Sequence, residues 1–424
     1  MSSRTNIGDV CSVNQSVYGS KTGAVECCGC ATGDEQLSIS KRAGRPRARW
    51  LVLLLAALLL VSCGGGDEYA ADYDQPAADQ QSLDQQSVDD ESDWYYAETP
   101  EDCFEGEEFD PVDELCYLVV ECDESGDCGE ESPGFVQEFF DLLDEVAGGV
   151  SGGGFEDAGE LQENTIVTYR VDGNQIVDPE LAEVSNDLLD FQDDTETQQA
   201  LWTYFSQLIP PDQRTFLTQY VVFTDGPDET LAFVTADTED PTKWILAVDI
   251  ADGGDIQDLT FTLVHEFAHL LTLNSQQVPA DYELAADPEN EDLFYEAAAA
   301  CPTYFPGEGC SEPNSYINAF YQRFWSDSFQ EWQEVDQLQY EDQDQYTAAL
   351  DQYYTDHQDE FVSDYAATNP GEDIAESFAT FVLKPAPSGD TIADEKVAFF
   401  YDYPELVKLR AEISGRLVSR LRRN

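Results

Sequence analysis

The amino-acid sequence predicts an α+β fold for residues 134–424, with a small mixed sheet followed by a helical C-terminal part. Hydrophobic residues make up 42% of the 424 residues and aromatic residues 12%, which is enough to build a sizeable core. Short segments in which apolar residues alternate come first, and longer segments with apolar residues every three or four positions follow. These two periodicities are typical of strands and of amphipathic helices, respectively.

The predicted strands are short and are separated by turn residues. The segment from Ile166 to Val171 alternates as a half-buried strand does. Turn signals at Asp225-Gly226-Pro227 and at Pro241 separate three further candidates. These candidates are Phe216–Thr224, Thr230–Thr235 and Trp244–Ile250.

Several longer segments have helical spacing. The helix that follows Asp252-Gly253-Gly254 can be capped by Asp255 or Asp258. The last segment, Tyr403–Arg423, carries leucines near helical spacing among basic residues. Docking on the acidic body is one interpretation of it, and contact with anionic lipid is the other. Other predicted helices are Val136–Val146, Thr197–Leu208, Tyr316–Trp325, Tyr340–Tyr354 and Glu372–Val382.

The chain is strongly acidic. It contains 88 Asp and Glu residues against 19 Lys and Arg residues, so its formal net charge is −69. Because nucleic-acid binding needs a basic surface, this balance excludes it as the main activity. Residues 134–424 alone hold 59 acidic and 12 basic residues, a net charge of −47. We therefore expect basic substrates to be favoured over acidic ones at low ionic strength.

Residues 1–62 are predicted to be an upstream extension followed by a secretory signal peptide. Seven basic residues precede Trp50–Val61, an uncharged apolar run of 12 residues. A transmembrane helix needs about 20 residues, so this run is too short to span a bilayer comfortably. Leu60-Val61-Ser62-Cys63 resembles the cleavage box of bacterial lipoproteins, in which the cysteine becomes the lipidated first residue. This resemblance implies an extracytoplasmic protein, anchored by lipid on Cys63 to a bacterial cell membrane.

Residues 63–133 are predicted to form an acidic, largely disordered arm. From Gly64 to Pro133 there are 25 acidic and no basic residues, a composition that favours an extended, solvated segment. The part of the arm that carries cysteines is expected to be more ordered, because Leu115–Val120 has strand character.

The cysteine count supports export of the chain. Six cysteines follow Cys63, and an even number in an exported chain predicts disulfides. Cys301 and Cys310 are expected to close a loop of their own. The other four allow three pairings, which the sequence leaves open; they are Cys103, Cys116, Cys122 and Cys128.

One motif in the chain is specific. His265-Glu266-x-x-His269 lies within an otherwise apolar, uncharged segment. Four residues make about one helical turn, so His265 and His269 project from the same face and can both bind one zinc ion. Glu266 lies one step around the helix, where its carboxylate can accept a proton from an attacking water molecule. The spacing therefore predicts a catalytic zinc site.

Zinc needs a third protein ligand, and a carboxylate is the best candidate in this chain. A metzincin would have glycine at position 272 and histidine at 275, where this chain has Thr272 and Ser275. The one further histidine, His357, lies in a polar segment and is expected to be a solvated surface residue. Glu372 and Glu376 share a helix face, so one can bind zinc while the other hydrogen-bonds a ligand histidine.

A histidine motif followed by a helix with Glu-x-x-x-Glu resembles the gluzincin metallopeptidases. The stretch from Tyr365 to Phe378 is similar to the corresponding stretch of the anthrax lethal factor catalytic-domain family. This resemblance implies a zincin-like domain in which Glu372 is the third zinc ligand and Glu376 supports a ligand histidine. It also implies that Tyr365 stabilises the oxyanion of the tetrahedral intermediate. The tyrosines close enough in sequence to compete for that role are Tyr353 and Tyr354.

The expected activity is hydrolysis of a peptide bond in a peptide or protein substrate, with one zinc ion as cofactor. Glu266 would accept the proton of the attacking water and pass it to the leaving amine. Two alternatives stay open. One is a cell-surface lipoprotein that binds zinc without catalysis. The other is a lipoprotein that binds calcium through acidic clusters such as residues 287–292, although these lack the Asp-x-Asp-x-Asp-Gly ligand spacing.

Overall fold

The computed structural model of this protein describes residues 99–103, 107–111, 113, 115–119, 165–226, 230–288, 290–340 and 343–421. The predicted signal peptide, Cys63, Cys122, Cys128 and the predicted helix at 136–146 lie outside these residues. None of the helices in the described ranges is both long and apolar enough to cross a membrane.

The described residues form a mixed α/β structure in which most of the helices follow the strands. The strands are β1 (Glu107–Asp110), β2 (Leu115–Leu118), β3 (Thr165–Asp172), β4 (Gln175–Leu181), β5 (Leu217–Phe223), β6 (Ala232–Ala236) and β7 (Trp244–Asp249). The first helices are α1 (Leu189–Asp193), α2 (Thr195–Leu208), α3 (Ile256–Leu273), α4 (Tyr282–Ala286) and α5 (Glu291–Ala300). The later helices are α6 (Tyr316–Phe324), α7 (Phe329–Asp336), α8 (Gln343–Asp356), α9 (Pro370–Leu383), α10 (Ile392–Ala398) and α11 (Pro404–Leu421).

Five of the strands make one sheet, in the order β4-β3-β5-β7-β6. Strand β3 is antiparallel to both β4 and β5, whereas β5 and β7 are parallel. Strand β6 is antiparallel to β7 and forms one edge of the sheet. The strands predicted between residues 166 and 250 are confirmed, and β4 is an additional strand that the sequence analysis did not predict.

The period-two pattern of β5 explains how the sheet divides its side chains. Tyr220 and Val222 belong to the main core, where the Tyr220 ring lies 5.4 Å from that of Trp202 on α2. Val221 and Phe223 point to the other face and join a small separate cluster. One face of the sheet therefore packs on helices and carries most of the buried apolar area, which is the main source of stability.

The long helix α3 begins where the sequence predicts it. Asp255 is the N-cap, and its Oδ1 accepts hydrogen bonds from the backbone N–H groups of Gln257 and Asp258 at 2.9 and 3.3 Å. From Leu259 onwards nearly every side chain of α3 is buried. A helix that is apolar around most of its circumference lies inside the domain, not on its surface.

Helix α9 packs against α3 and fixes the second half of the candidate site. Asn369 caps α9, because its Oδ1 accepts from Gly371 N at 2.8 Å and from Glu372 N at 3.0 Å. Phe378 on α9 lies 6.1 Å, ring centre to ring centre, from Phe267 on α3. Glu372 is thereby held in the first turn of a buried helix.

Part of the predicted acidic arm is an ordered hairpin that packs on the C-terminal helix. Strands β1 and β2 pair antiparallel, and a disulfide joins Cys103 to Cys116. Leu118 N donates to Ser419 Oγ on α11 at 2.9 Å. A methyl group on Gly415 would overlap the carbonyl oxygen of Leu118, so the close approach of hairpin and helix requires glycine there.

Helix α11 is docked by both apolar and basic side chains. Leu406, Leu409, Ile413 and Leu417 are buried. Arg416 is buried too, at 2.5 Å from Asp113 Oδ2 and 2.8 Å from Asp110 Oδ2 of the hairpin, and Arg214 joins the same cluster at 2.8 Å from Asp113 Oδ1. The docked interpretation of this helix is therefore confirmed. The described structure directs Arg416 inward rather than towards solvent.

The second disulfide is the predicted one. Cys301 and Cys310 are bonded and close a loop between α5 and α6. Two disulfides within the described residues are typical of proteins that fold in an oxidising compartment.

Asp336, at the C-terminal end of α7, gives a testable dependence of stability on pH. Burial raises its pKa from 3.8 to about 6, although a hydrogen bond from Gln339 lowers it. Because the native state binds this proton more tightly than the unfolded state, the resulting stability is present below about pH 4 and is lost as the pH rises through about 6. We expect Asp336→Asn to unfold at higher urea concentration than the parent at pH 7 and at a similar concentration at pH 4.

The matched control for this prediction is Glu334→Gln on the exposed face of the same helix. Urea titrations of parent, Asp336→Asn and Glu334→Gln at both pH values measure the effect. The stability difference between Asp336→Asn and the parent could instead stay constant between pH 4 and pH 7. That result would show that burial of the Asp336 carboxyl does not affect the free energy of unfolding.

Candidate metal centre

The histidine motif lies in the buried middle of α3. His265, Glu266 and His269 are 1%, 3% and 2% exposed, and they can offer ligand atoms within 4.8 Å of one another. Glu372 and Glu376 on α9 are each 2% exposed. The packing of α3 on α9 thus brings together five titratable side chains from two segments that are distant in sequence, since Glu372 follows His265 by 107 positions.

Three donor atoms converge at the centre of this group. His265 Nε2 lies 3.1 Å from His269 Nε2 and 3.0 Å from Glu372 Oε2. His269 Nε2 lies 3.4 Å from the same carboxylate oxygen. Donors held tetrahedrally by zinc bonds of about 2.0–2.1 Å are about 3.3 Å apart. Two imidazole nitrogens and one carboxylate at these separations fit a zinc ion, in both donor type and spacing.

A fourth residue orients the first imidazole. Glu376 Oε1 lies 2.8 Å from His265 Nδ1, and Glu376 Oε2 accepts a hydrogen bond from Ser363 Oγ at 2.7 Å. A carboxylate at Nδ1 favours the tautomer that carries its proton there, which turns the Nε2 lone pair towards Glu372 and His269. Glu372 and Glu376 therefore contact different nitrogens of the same imidazole.

The charges of the site favour a cation. Burial alone would lower the pKa of His265. Hydrogen bonds to Glu372 and Glu376 and the charge of Glu266 outweigh the effect of burial, so the pKa of His265 lies well above its ordinary value. Burial raises the pKa of Glu372, but the charge of His269 and hydrogen bonds with both imidazoles lower it more, so the net value is below the ordinary one. The same negative potential that holds a proton here would also hold a metal cation.

Glu266 faces the edge strand of the sheet. Its Oε2 accepts a hydrogen bond from Val234 N on β6 at 2.9 Å. Burial raises the pKa of Glu266 to about 7, although the nearby His265 and His269 lower it. A carboxyl group with a pKa near neutrality is suited to accept and return a proton.

Tyr365 lies beside the first histidine. Its ring centre is 5.8 Å from that of His265. Burial, together with the charges of Glu372 and Glu266, raises the pKa of Tyr365 well above its ordinary value, so the hydroxyl stays protonated and can donate. The competing Tyr353 packs instead on His357, with ring centres 4.6 Å apart.

His357 is not the solvated surface residue that its polar sequence predicts. Its side chain is 20% exposed, with Nδ1 at 2.9 Å from Glu360 and Nε2 at 3.7 Å from Glu331. Contact with Tyr353 and with these two carboxylates buries most of the ring, and polar neighbours in sequence did not reveal this. His357 is not part of the metal-compatible groups found among the described residues.

A buried ion pair next to the site stabilises the start of α9. Lys396 Nζ on α10 lies 2.6 Å from Asp373 Oδ2, which also accepts a hydrogen bond from Trp325 Nε1 at 2.7 Å. Both Lys396 and Asp373 are at most 1% exposed. Since Asp373 follows Glu372 directly, this pair helps to fix the backbone from which the candidate ligand projects.

A second acidic group is compatible with a cation by distance alone. Asp225, Asp249 and Asp252 can approach within 4.8 Å of one another. The carboxylate of Asp249 accepts from the backbone N–H groups of Ala251 and Asp225, so its oxygens serve the local turn. The acidic stretch 287–292 of the calcium alternative contributes no metal-compatible group through its described residues.

Two groups that support the site could not be predicted from sequence. Ser363 Oγ donates a hydrogen bond to Glu376, and the backbone N–H of Val234 donates one to Glu266. A serine and a strand N–H carry no local pattern, so only the folded chain identifies them.

Comparisons of the chain with protein-family models, with curated proteins and with solved structures find no match.

Proposed function

We propose that this protein is a zinc-dependent metalloendopeptidase that hydrolyses peptide bonds outside the cytoplasm. The observation that carries the proposal is the convergence of three donor atoms, from His265, His269 and Glu372, with no pair more than 3.4 Å apart. A buried carboxyl group, Glu266, adjoins them on the same helix. Three protein ligands and an adjacent base are the arrangement that catalytic zinc sites share, as distinct from closed structural sites.

A zinc ion in this site would supply a Lewis acid that polarises a water molecule and the scissile carbonyl group. Glu266 would accept a proton from the attacking water and return it to the amine that leaves, for which a pKa near 7 is well suited. The protonated hydroxyl of Tyr365 would donate a hydrogen bond to the carbonyl oxygen as this oxygen gains negative charge. Glu376 would keep the His265 imidazole in its ligating orientation.

The proposal includes a zincin-like architecture of the gluzincin type. A mixed sheet with an antiparallel edge strand beside the motif helix supports it, as does the third carboxylate on a later, buried helix. We also propose that the mature chain is anchored by lipid at Cys63 to a bacterial cell membrane. The signal-like sequence and the two disulfides support an extracytoplasmic location.

Metal analysis of the purified chain separates this proposal from the calcium alternative. We expect one zinc ion per chain, lost on dialysis against a chelator and regained on addition of zinc. Calcium alone, at any stoichiometry, would contradict the proposal and support the calcium-binding lipoprotein. One zinc ion with no chelator-sensitive cleavage of casein would instead support the inactive zinc-binding protein.

A further inference from the structure

The serine that precedes Tyr365 by two positions both donates and accepts a hydrogen bond through its hydroxyl group. Ser363 Oγ donates to Glu376 Oε2 at 2.7 Å, and it accepts from the backbone N–H of Ala366 at 3.0 Å. A hydroxyl oxygen that accepts a hydrogen bond becomes a stronger donor, so the two bonds reinforce each other. The side chain of Ser363 therefore joins helix α9 to the turn that carries Tyr365.

The turn that carries Tyr365 is held at both ends. It is a short 3₁₀ helix, Tyr365–Ala367, whose two alanines are buried. After the turn, the carbonyl oxygen of Thr368 accepts a hydrogen bond from Trp332 Nε1 at 2.8 Å. Before the turn, Ser363 donates to the glutamate of α9. Of these two contacts, the one made by Ser363 leads to the candidate metal centre.

The contact made by Ser363 continues to the first histidine of the motif. Glu376 accepts from Ser363 on Oε2, and its Oε1 lies 2.8 Å from His265 Nδ1. Glu376 and His265 are 2% and 1% exposed, so bulk water does not compete for this pair. The ring of Tyr365 lies beside the same imidazole, with 5.8 Å between the ring centres. The contacts thus form a closed circuit, which runs from the turn through the serine and the glutamate to the imidazole beside the tyrosine.

We propose that Ser363 is a positioning residue that fixes Tyr365 relative to the imidazole of His265. Carboxylates that orient a ligand histidine are themselves usually hydrogen-bonded, and here the donor also fixes the turn that carries the candidate oxyanion donor. One hydroxyl group would then set the relative position of a metal ligand and a catalytic side chain. This inference rests on the proposed function, which assigns zinc binding to His265 and transition-state stabilisation to Tyr365.

The first test compares the kinetics of Ser363→Ala and Ser388→Ala in the zinc-loaded full chain. Ser388 is exposed and donates to Asp394 Oδ2 at 2.9 Å, so its replacement removes a hydrogen bond of the same kind outside the circuit. We expect Ser363→Ala to lower kcat by about 10–100-fold with KM nearly unchanged, because a displaced Tyr365 stabilises the transition state less. Ser388→Ala should match the parent. Ser363→Thr keeps a hydroxyl group and should restore most of the lost kcat.

A double-mutant cycle with Tyr365→Phe shows whether Ser363 acts through the tyrosine. Tyr365→Phe removes the donating hydroxyl group, so adding Ser363→Ala to this variant should lower kcat little further. A loss of kcat in the double variant equal to the product of the two single losses would show that Ser363 does not act through Tyr365. That result would overturn the inference.

The visible spectrum of cobalt, bound in place of zinc, reports the geometry of the ligands without requiring catalysis. We expect the spectrum to shift for Ser363→Ala and for Glu376→Gln, and to stay as in the parent for Ser388→Ala. If Ser363→Ala keeps the kcat and the cobalt spectrum of Ser388→Ala, the inference is wrong while the proposed function stands. A parent chain that binds neither zinc nor cobalt, or one that binds zinc and cleaves no peptide, would contradict the proposed function and the inference together.

Discussion

Replacing Glu266 by glutamine is expected to lower kcat by about 10²–10⁴-fold and to leave zinc bound. Glutamine has nearly the same shape, and its amide oxygen can still accept from Val234 N, so the fold of the site should persist. It cannot accept a proton from water or return one to an amine. Cleavage kinetics of a fluorogenic peptide, together with metal content, measure both halves of this prediction.

The matched control for this variant is Glu296→Gln, which makes the same chemical change at an exposed position of α5. We expect Glu296→Gln to cleave as the parent does. Equal cleavage by Glu266→Gln and the parent would exclude Glu266 as the base. Loss of zinc from Glu266→Gln would show that this glutamate is a ligand, which would contradict the assignment of that place to Glu372.

Exchanging the two glutamates of α9 for glutamine, one at a time, is expected to have unequal effects on zinc affinity. Glu376→Gln removes the charge behind His265 and should cost about 10–100-fold. Glu372→Gln removes the carboxylate that lies 3.0 and 3.4 Å from the two Nε2 atoms and should cost considerably more. Isothermal titration of the zinc-free proteins with zinc gives both constants directly.

Thermal unfolding of the zinc-free variants separates loss of a ligand from loss of the fold. Both glutamates are buried, so each variant should first be shown to unfold cooperatively near the parent. A larger loss of affinity for Glu376→Gln than for Glu372→Gln would mean that the two roles are exchanged. Equal, small losses would mean that neither carboxylate binds the metal.

The strands bounded by turn residues and rich in β-branched and aromatic residues could be predicted from sequence, and β4 could not. The segment that forms β5 holds consecutive β-branched and aromatic residues from Tyr220 to Phe223 and is bounded by turn residues, so its ends were predicted to within a residue. Strand β4 contains Asp178-Pro179-Glu180, a combination that argues against a strand. It is nevertheless formed at the edge of the sheet, where a proline costs no hydrogen bond on the open side.

The order of the strands could not be predicted, because it depends on contacts between distant residues. Local sequence does not indicate that β5 lies beside β7 while β6 passes to the edge. The same limit applies to the hairpin of the arm. In the sequence Asp113 is one of many acidic residues. Its burial depends on Arg416, which lies 303 residues later in the chain. The strand character of Leu115–Val120 predicted some order in this part of the arm, but the helix on which the hairpin packs could not be predicted.

The candidate site divides in the same way. The spacing of His265 and His269 on one helix is a local signal, and the sequence alone sufficed to predict that the two imidazoles lie on one face. The choice of Glu372 came from a resemblance, and the packing of α9 on α3 places it at 3.0 Å from His265 Nε2. The contact of Ser363 with Glu376 could not be predicted, because it exists only after the preceding loop folds onto α9.

The measurement that tests the central claim most directly is cleavage of a mixed peptide library, followed by mass spectrometry. The chain is assayed after zinc loading, after chelation and after zinc is restored, with Glu266→Gln as the blank. We predict internal cleavage that chelation abolishes, that zinc restores and that the blank lacks, with basic peptides cleaved faster at low salt. A zinc-loaded chain that cleaves no peptide, or one whose cleavage persists after chelation, would contradict the proposed function.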